Sequence, residues 1–115
     1  MILVLNCGSQ SIKWKLFDLS AQAGGKLKCQ EEGKRDVFDS DNYQKILEEE
    51  LNALGKYGKQ IKKIGHRVVF GGGKYRKPIK IKENVLQDLE NLSGVASLHN
   101  PHNLLGVRTA SAIFP

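Results

Sequence analysis

The residue types best suited to chemistry in this sequence lie in a polar stretch close to the amino terminus. Residues 6–13 (NCGSQSIK) follow an apolar run and form a longer connection than the two-residue loop of a minimal hairpin. Backbone N–H groups near a glycine, with the hydroxyls of Ser9 and Ser11, provide donors for an anion, and Lys13 adds a positive charge. The side-chain oxygen of Asn6 is a suitable magnesium ligand, directly or through water. From the residues alone, a plain polar turn in which Asn6 bonds its own backbone explains the stretch equally well.

A single arginine marks a second candidate site. Arg67 interrupts an apolar run that leads into three consecutive glycines, residues 71–73. A guanidinium presents paired donors that match a carboxylate or a phosphoryl group, and glycines allow a ligand to approach the backbone. The alternative is an ion pair with a neighbouring carboxylate across the sheet. The adjacent His66 points to the opposite face of a strand and is interpreted as a packed or capping histidine.

Length and composition indicate one globular domain. The chain has 115 residues, of which 40% are hydrophobic and 26% are charged, values typical of soluble proteins. No apolar run approaches the ~20 residues that cross a bilayer. The first residues lack the regions of a signal peptide, so we expect a cytoplasmic protein without a membrane partner. Cys7 and Cys29 have no metal-ligand spacing and are interpreted as small packing residues.

Positive charge is concentrated in one block of the chain. The net charge is +6, and ten of the 18 Lys and Arg residues lie between Lys56 and Lys82, where there is no Asp or Glu. Such a block suits an anionic partner, although a solvated lysine-rich face explains most of these residues. Only Tyr57, Phe70 and Tyr75 supply aromatic rings there. They are too few and too irregular for a nucleic-acid stacking surface, so nucleic acid is not the expected partner.

Apolar periodicity in the first half predicts three strands and a helix. Asp41 and Gln44 have the spacing of a capping box at the start of the helix, and Gly55 marks its end. The antiparallel strands are predicted over residues 2–6, 11–18 and 26–30, with residues 24–25 in a turn. The apolar face of the helix consists of Tyr43, Ile46, Leu47, Leu51 and Leu54.

The second half adds a strand and two helices. A strand is predicted over residues 61–70, parallel to the first strand because it follows a helix. Asn100 and Pro101 have the residue types that open a third helix, with His102 on the surface of its first turn. A further helix is predicted between this strand and the third helix, over residues 84–92. Its inward-facing residues are Val85, Leu86, Leu89 and Leu92. These elements predict an α/β domain with a mixed sheet.

Three motifs, in the same order, resemble those of the acetate kinase family. Residues 4–13 (VLNCGSQSIK) are similar to its amino-terminal signature, in which Asn-x-Gly-Ser-x-Ser-x-Lys closes the first hairpin. Residues 65–72 (GHRVVFGG) resemble its Gly-His-Arg-Val-Val-His-Gly-Gly, and residues 98–103 (LHNPHN) resemble its Leu-His-Asn-Pro motif. The resemblance implies a ribonuclease-H-like fold of the acetate and sugar kinase, heat-shock protein and actin superfamily. The resemblance also implies that residues 1–115 are a single, truncated amino-terminal domain.

The resemblance also implies an activity and a nucleotide site. The family phosphorylates acetate to acetyl phosphate with ATP and Mg²⁺. In this sequence Asn6 would assist the magnesium, Ser9 and Ser11 would lie near the transferring phosphate, and Lys13 would contact ATP.

The acyl substrate would be bound by residues of the second and third motifs. Arg67 would bind the acetate carboxylate, and its methyl group would enter a pocket of Val69, Leu98 and Pro101. Phe70 and Gly73 stand where the family has histidine and glutamate, so propionate and butyrate remain alternative substrates. His99 lies in the third motif and would shape the pocket or bond the substrate.

Family members are several times longer than this chain. The remainder would carry the main catalytic groups, so the resemblance implies that residues 1–115 alone are inactive. It also implies that a family-like homodimer requires the rest of the chain. A non-catalytic truncated product, or a basic binding module, is the alternative from another functional class.

Overall fold

One mixed sheet of four strands organises the part of the chain that the computed structural model describes, namely residues 1–23, 26–68, 77–91 and 100–114. Strands β1 to β3 are antiparallel and β4 runs parallel to β1, which gives the spatial order β3-β2-β1-β4. The strands are β1 (Ile2–Cys7), β2 (Ser11–Ala23), β3 (Lys26–Asp36) and β4 (Lys63–His66). The predicted α/β class and mixed topology are confirmed.

Three α-helices accompany the sheet in the described residues. They are α1 (Tyr43–Ala53), α2 (Glu83–Asn91) and α3 (Asn100–Ile113), and short 3-10 segments precede and follow α1 at Ser40–Asn42 and Leu54–Gln60. No helix in these ranges has the length and apolar character that a bilayer span requires. The predicted turn at residues 24–25 and the helical position Leu92 fall outside the described residues.

The capping box predicted at the start of α1 was wrong, whereas the α-helix ends at Ala53 with Leu54 as its C-cap, directly before Gly55 as predicted. The Asp39 carboxylate, not a capping box, accepts hydrogen bonds in the preceding turn, from the backbone N–H of Asp41 at 3.0 Å among others. The Gln44 side chain instead donates to Glu48 at 2.7 Å. After α1 the chain continues as a 3-10 segment through Gly55, and this segment is kinked at Gly58, where the positive φ of 40° favours glycine.

Alternation along the first two strands separates a buried face from an open one. Three residues of β1 and three of β2 point into the core, where α1 and α3 cover them, namely Leu3, Leu5, Cys7, Ile12, Trp14 and Leu16. The intervening Val4, Lys13 and Lys15 are exposed on the other face. Cys7 packs in the core as predicted. The same prediction for Cys29 was wrong, because that residue is exposed.

A second apolar cluster joins α2 to α3. Val85, Leu86 and Leu89 of α2 are buried, as the apolar periodicity predicted, and they pack against Leu104 and Val107 of α3. Through this contact α2 supports α3, and α3 in turn lies against the end of β1 that carries the polar turn.

Gly106 allows α3 to approach β1 closely. A Cβ atom at this position would lie 2.5 Å from Cys7 Sγ and 3.2 Å from Cys7 Cβ, so the helix or the strand would have to move. We expect Gly106→Ala to lower the free energy of unfolding by about 1–3 kcal/mol, as overpacking in a core does. Urea denaturation measures this loss. Gly55→Ala is the control, since a Cβ there meets nothing within 4 Å, and an equal effect of both substitutions would contradict the prediction.

The outer edge of β4 borders an open groove. Among the described residues β4 pairs only with β1, and the groove, of about 1050 Å³, runs between β4, residues 78–83 and the end of α3. An unpaired strand edge beside exposed apolar side chains such as Ile79 invites association. We therefore expect the mass measured by light scattering to rise with protein concentration. Salt should strengthen this association by screening the lysines in the groove. A monodisperse monomer at every concentration would contradict it.

Candidate functional site

The carboxyl ends of β1 and β4 bring two of the three sequence motifs to one edge of the sheet. The two strands are parallel, and the ladder continues one residue past β4, where the Arg67 N–H donates to the Leu5 carbonyl at 3.2 Å. The polar turn leaves β1 at this same edge. Arg67 and the polar turn, which are about sixty positions apart in sequence, are therefore neighbours in the fold.

The register also places three of the candidate side chains on one face. Asn6 pairs directly with Lys13 across β1 and β2, so both side chains leave the same face of the sheet. Arg67 follows His66, whose partner is Leu5, and alternation directs the Arg67 side chain to the face of Asn6. This is the open face, on which Lys13 and Arg67 are exposed and Asn6 is half-buried.

Lys13 and Arg67 make no ion pair with any residue in the described part of the chain. The alternative interpretation of Arg67, a carboxylate partner across the sheet, therefore finds no such partner there. Lys15, two residues after Lys13 on the same face, does have one, because its ammonium lies 3.8 Å from Glu32. Both positive charges of the candidate site thus remain accessible to a ligand from solvent.

Three carbonyl groups of the turn are bonded from inside the protein. Tyr43 Oη donates to the Gly8 carbonyl at 2.7 Å, the Asn103 amide donates to the Cys7 carbonyl at 2.6 Å, and the Val37 N–H donates to the Gln10 carbonyl at 2.8 Å. The turn is closed by the Gly8 N–H, which donates to the Ser11 carbonyl at 2.9 Å. The carbonyl oxygens that form the negative ends of these peptide dipoles therefore already accept hydrogen bonds from within the protein.

Donors of the turn remain available. The backbone N–H groups of Ser9 and Gln10 have no hydrogen-bond partner within residues 1–23, 26–68, 77–91 and 100–114. The side chains of Ser9 and Ser11 are half-buried at the same place. A turn in which most carbonyls are bonded within the protein, while the N–H groups of Ser9 and Gln10 are free, favours an anion over a cation. The geometry thus favours the anion-binding interpretation over the plain polar turn.

Part of the predicted acyl pocket lies outside the described residues. This applies to Val69 and Leu98, and also to Phe70, Gly73 and His99. Pro101 is described and is exposed in the first turn of α3. The methyl pocket therefore stays a prediction. The predicted strand over residues 61–70 was wrong at Arg67, because β4 ends at His66 and Arg67 follows it. The residues of β4 alternate between exposed and half-buried, so this strand is not fully buried.

Two residues that contact the turn were missed as such by the sequence analysis. Tyr43 was assigned to the apolar face of α1, and it is buried, but its hydroxyl bonds the turn. Asn103 belongs to the third motif and received no role. It is buried, as is Thr109 in the same helix. In the sequence Asn103 lies four residues before Val107, on the apolar face of the predicted helix, and this spacing could have identified it. His102, predicted on the surface, is half-buried with its ring centroid 4.6 Å from that of Tyr43.

The buried thiol and phenol beside the turn are neutral at physiological pH. Burial raises the pKa of the Cys7 thiol to about 12, and a hydrogen bond with Tyr43 offsets part of that shift. Burial also raises the pKa of the Tyr43 hydroxyl. A thiol with so high a pKa is a poor nucleophile, so Cys7 packs beneath the turn and supplies no charge to it.

His66 gives the protein a specific sensitivity to acid. Burial lowers its pKa from 6.5 to about 4, so between these values the unfolded chain binds a proton that the folded chain does not. Stability contributed by neutral His66 is complete above pH 6.5 and is lost as the pH falls toward 4, by up to about 3 kcal/mol. Urea denaturation at several pH values measures this loss. His66→Gln should make the free energy of unfolding depend less on pH between about 4 and 6.5, and an unchanged dependence on pH would contradict the prediction.

Comparison with known proteins identifies the family of this chain. The family model described as "Acetokinase family" matches residues 1–115. The acetate kinase of Desulforamulus reducens is 35% identical to the chain, with an alignment that covers 100% of this chain and 35% of that protein. The chain thus spans about a third of the length of the curated relatives it matches.

Solved structures agree with this match. The acetate kinase of Porphyromonas gingivalis superposes with a TM-score of 0.72 and 28% identity, covering 96% of this chain and 34% of that one. A propionate kinase from Francisella tularensis superposes with a TM-score of 0.70 and 30% identity, covering 99% of this chain and 34% of that one. The predicted family is confirmed by the matched model, the identity and the fold: the chain belongs to the acetokinase family.

Proposed function

We propose that residues 1–115 form the phosphate- and carboxylate-binding part of a kinase that transfers a phosphoryl group from ATP to acetate. The observation that supports this most directly is the shared edge of β1 and β4. There the free donors of the turn lie beside Lys13, and Arg67 leaves the same face of the sheet. Two sets of anion-binding groups at one edge suit a reaction in which two anions must meet.

The turn is proposed to hold the transferring end of the nucleotide. Its N–H groups and the hydroxyls of Ser9 and Ser11 donate to phosphate oxygens, and Lys13 neutralises part of their charge. Phosphoryl transfer depends on positioning and on charge neutralisation from several directions. Residues 1–115 would neutralise the phosphate charge from one of those directions.

Arg67 is proposed to bind the acyl substrate. Its guanidinium has the fork geometry that matches both oxygens of a carboxylate, and among the described residues it has no other partner. In the reaction a carboxylate oxygen attacks the γ-phosphorus while the bond from that phosphorus to the bridging oxygen breaks, and ADP leaves. Arg67 and Lys13 reduce the repulsion between carboxylate and phosphate that opposes this approach.

Magnesium fits this site as part of the nucleotide complex. The described residues contain no group of three His, Cys, Asp or Glu side chains that would hold a metal ion, and Asn6 contributes a neutral amide oxygen on the face of Lys13. Mg²⁺ commonly keeps several waters and binds through few protein ligands together with substrate phosphates. Asn6 is therefore proposed to bind the ion directly or through water, and the ion would shield phosphate charge.

Propionate is the second candidate substrate. The specific observation is the structural likeness to a propionate kinase, together with Phe70 and Gly73, which replace the histidine and glutamate of the family motif. Each methylene in an apolar pocket changes discrimination by ~1–3 kcal/mol. Kinetics with acetate, propionate and butyrate therefore distinguish the candidates.

A chimaera tests the proposal. Residues 1–115 replace the matching third of the Desulforamulus reducens acetate kinase, and acetyl phosphate is trapped as the hydroxamate. We expect ATP-dependent product, with Lys13→Ala raising the KM for ATP. Lys15→Ala is the matched control, since it lies on the same strand and face but pairs with Glu32. A folded chimaera without turnover on any of the three acids, or equal effects of both lysine substitutions, would overturn the proposal.

A further inference from the structure

We propose that Tyr43 and Asn103 are positioning residues that set the orientation of the peptide groups in the phosphate-binding turn. Tyr43 reaches the Gly8 carbonyl from α1, and Asn103 reaches the Cys7 carbonyl from α3. Both side chains are 2% exposed, so neither touches a ligand in solvent directly. This inference rests on the proposed phosphate-binding function of the turn and concerns how that turn is held.

The effect of each bond follows from the planarity of the peptide group. In a trans peptide the carbonyl and the following N–H point in opposite directions. Holding the Gly8 carbonyl inward therefore turns the Ser9 N–H outward, where a phosphate oxygen can accept from it. Holding the Cys7 carbonyl in the same way directs the Gly8 N–H toward the Ser11 carbonyl, which closes the turn.

Loss of either bond changes the polarity of the turn. If the peptide group between Gly8 and Ser9 rotated, its carbonyl oxygen would face the site and repel a phosphate that its N–H now attracts. Val37 fixes the Gln10 carbonyl at the other end of the turn through a backbone bond, so no side-chain substitution there removes it. Among the described residues, Tyr43 and Asn103 are thus the side chains through which the rest of the fold controls the donor pattern.

Asn103 further links the turn to the start of α3. The helix begins at Asn100, within the motif in which the acyl pocket is proposed, and Asn103 follows three residues later. Gly106 keeps the next turn of α3 against Cys7. The position of α3 therefore affects the phosphate-binding turn and the proposed acyl site together.

The thiol of Cys7 reports whether the turn is closed. It is 2% exposed and lies under the turn, and it is neutral at ordinary pH, so a thiol reagent reaches it only when this region opens. Cys29 is exposed and is replaced by serine to leave a single thiol. Labelling of Cys7 in this 115-residue protein with Ellman's reagent then measures opening without any ligand.

Tyr43→Phe and Asn103→Leu remove the two donors at nearly constant volume. We expect each to raise the Cys7 labelling rate by about tenfold, because an unbonded buried carbonyl favours the open turn. Two substitutions elsewhere are the matched controls. Tyr57→Phe removes a tyrosine hydroxyl that bonds Glu31, and Thr109→Val removes a buried hydroxyl from α3 that contacts Gln44.

Labelling rates are compared at equal free energy of unfolding, set with urea, so that global unfolding does not mimic opening of the turn. Rates for Tyr43→Phe within twofold of those for Tyr57→Phe overturn the inference. Tyr43→Phe decides the question even where Asn103→Leu does not fold.

Binding of inorganic tripolyphosphate, followed by the amide resonances of Ser9 and Gln10, separates this inference from the proposed function. We expect the parent protein to bind and both variants to bind about tenfold more weakly, with the controls unchanged. A parent that does not bind counts against the phosphate-binding function, while the labelling rates still decide the positioning roles. A parent that binds and variants that bind equally well overturn the positioning roles alone.

Discussion

The 115-residue chain on its own is expected to make no acetyl phosphate from ATP, magnesium and acetate. The chain spans about a third of the length of the acetate kinases it matches. Its described residues place a polar turn, Lys13 and Arg67 on one edge of one sheet. Charge on a transferring phosphoryl group must be neutralised from several sides, and the loss of such groups reduces phosphoryl transfer by several orders of magnitude.

A hydroxamate assay under saturating ATP and acetate measures this directly. The chimaera with the remaining two thirds of the Desulforamulus reducens acetate kinase serves as the positive control, since both proteins contain the same residues 1–115. Turnover that co-purifies with the isolated chain, and disappears with Lys13→Ala, would contradict the prediction. It would show that the groups at this one edge of the sheet are enough for phosphoryl transfer.

The buried and exposed faces of β2 were predictable because apolar and charged residues alternate there, whereas the continuous apolar run of residues 2–5 in β1 has no such period. Ile12, Trp14 and Leu16 alternate with Lys13 and Lys15, and a shift by one residue would bury both lysines. The residues of β2 that were predicted to face the core and those predicted to face solvent are therefore found on those faces. The length of β3 was not predictable in the same way. The strand extends to Asp36 through residues 31–36 (EEGKRD), all of which are charged or glycine and are held by pairing with β2 rather than by burial.

The ends of helix α1 show where local patterns fail. The spacing of Asp41 and Gln44 fits a capping box, but Asp39, two residues earlier, makes the turn that precedes the helix. The α-helix ends directly before Gly55, as predicted, but the positive φ common after a helix end occurs three residues later, at Gly58. More than one residue fitted the sequence rule for a helix cap and the rule for a helix-ending glycine. The position of the chain against the sheet decided which residue takes each role.

The contacts that hold the turn depend on tertiary structure. Tyr43 and Asn103 lie 35 and 96 residues from the carbonyl groups that they bond. Periodicity predicted that Tyr43 is buried, which is correct, but burial alone does not say which acceptor its hydroxyl finds. A buried tyrosine or asparagine needs a hydrogen-bond partner, so the sequence indicated the need and only the fold identified the partner.

In the chimaera, Arg67→Ala is expected to damage the use of acetate far more than the binding of ATP. Removing one partner of a carboxylate pair leaves the other charge desolvated and unpaired, at a cost of roughly 2–5 kcal/mol. This corresponds to a fall in kcat/KM for acetate of roughly 30-fold to several thousand-fold. Both a higher KM for acetate and a lower kcat are expected, because an arginine here also reduces repulsion between the carboxylate and the phosphate as they react.

Two further variants distinguish a binding role of Arg67 from a structural one. Arg67→Lys should restore little activity, since an ammonium keeps the charge but not the paired donors. Arg35→Ala is the matched control, because Arg35 is an exposed arginine of β3 that pairs with Glu49 and Glu50 on α1. It lies opposite the buried Ile12, so its side chain leaves the other face of the sheet from Lys13. Steady-state kinetics in acetate and in ATP measure each variant. If Arg67→Ala and Arg67→Lys both leave acetate kinetics within twofold of the parent, Arg67 does not bind the substrate. In that case the carboxylate site must lie elsewhere, whereas the phosphate-binding turn and its support from Tyr43 and Asn103 would be unaffected.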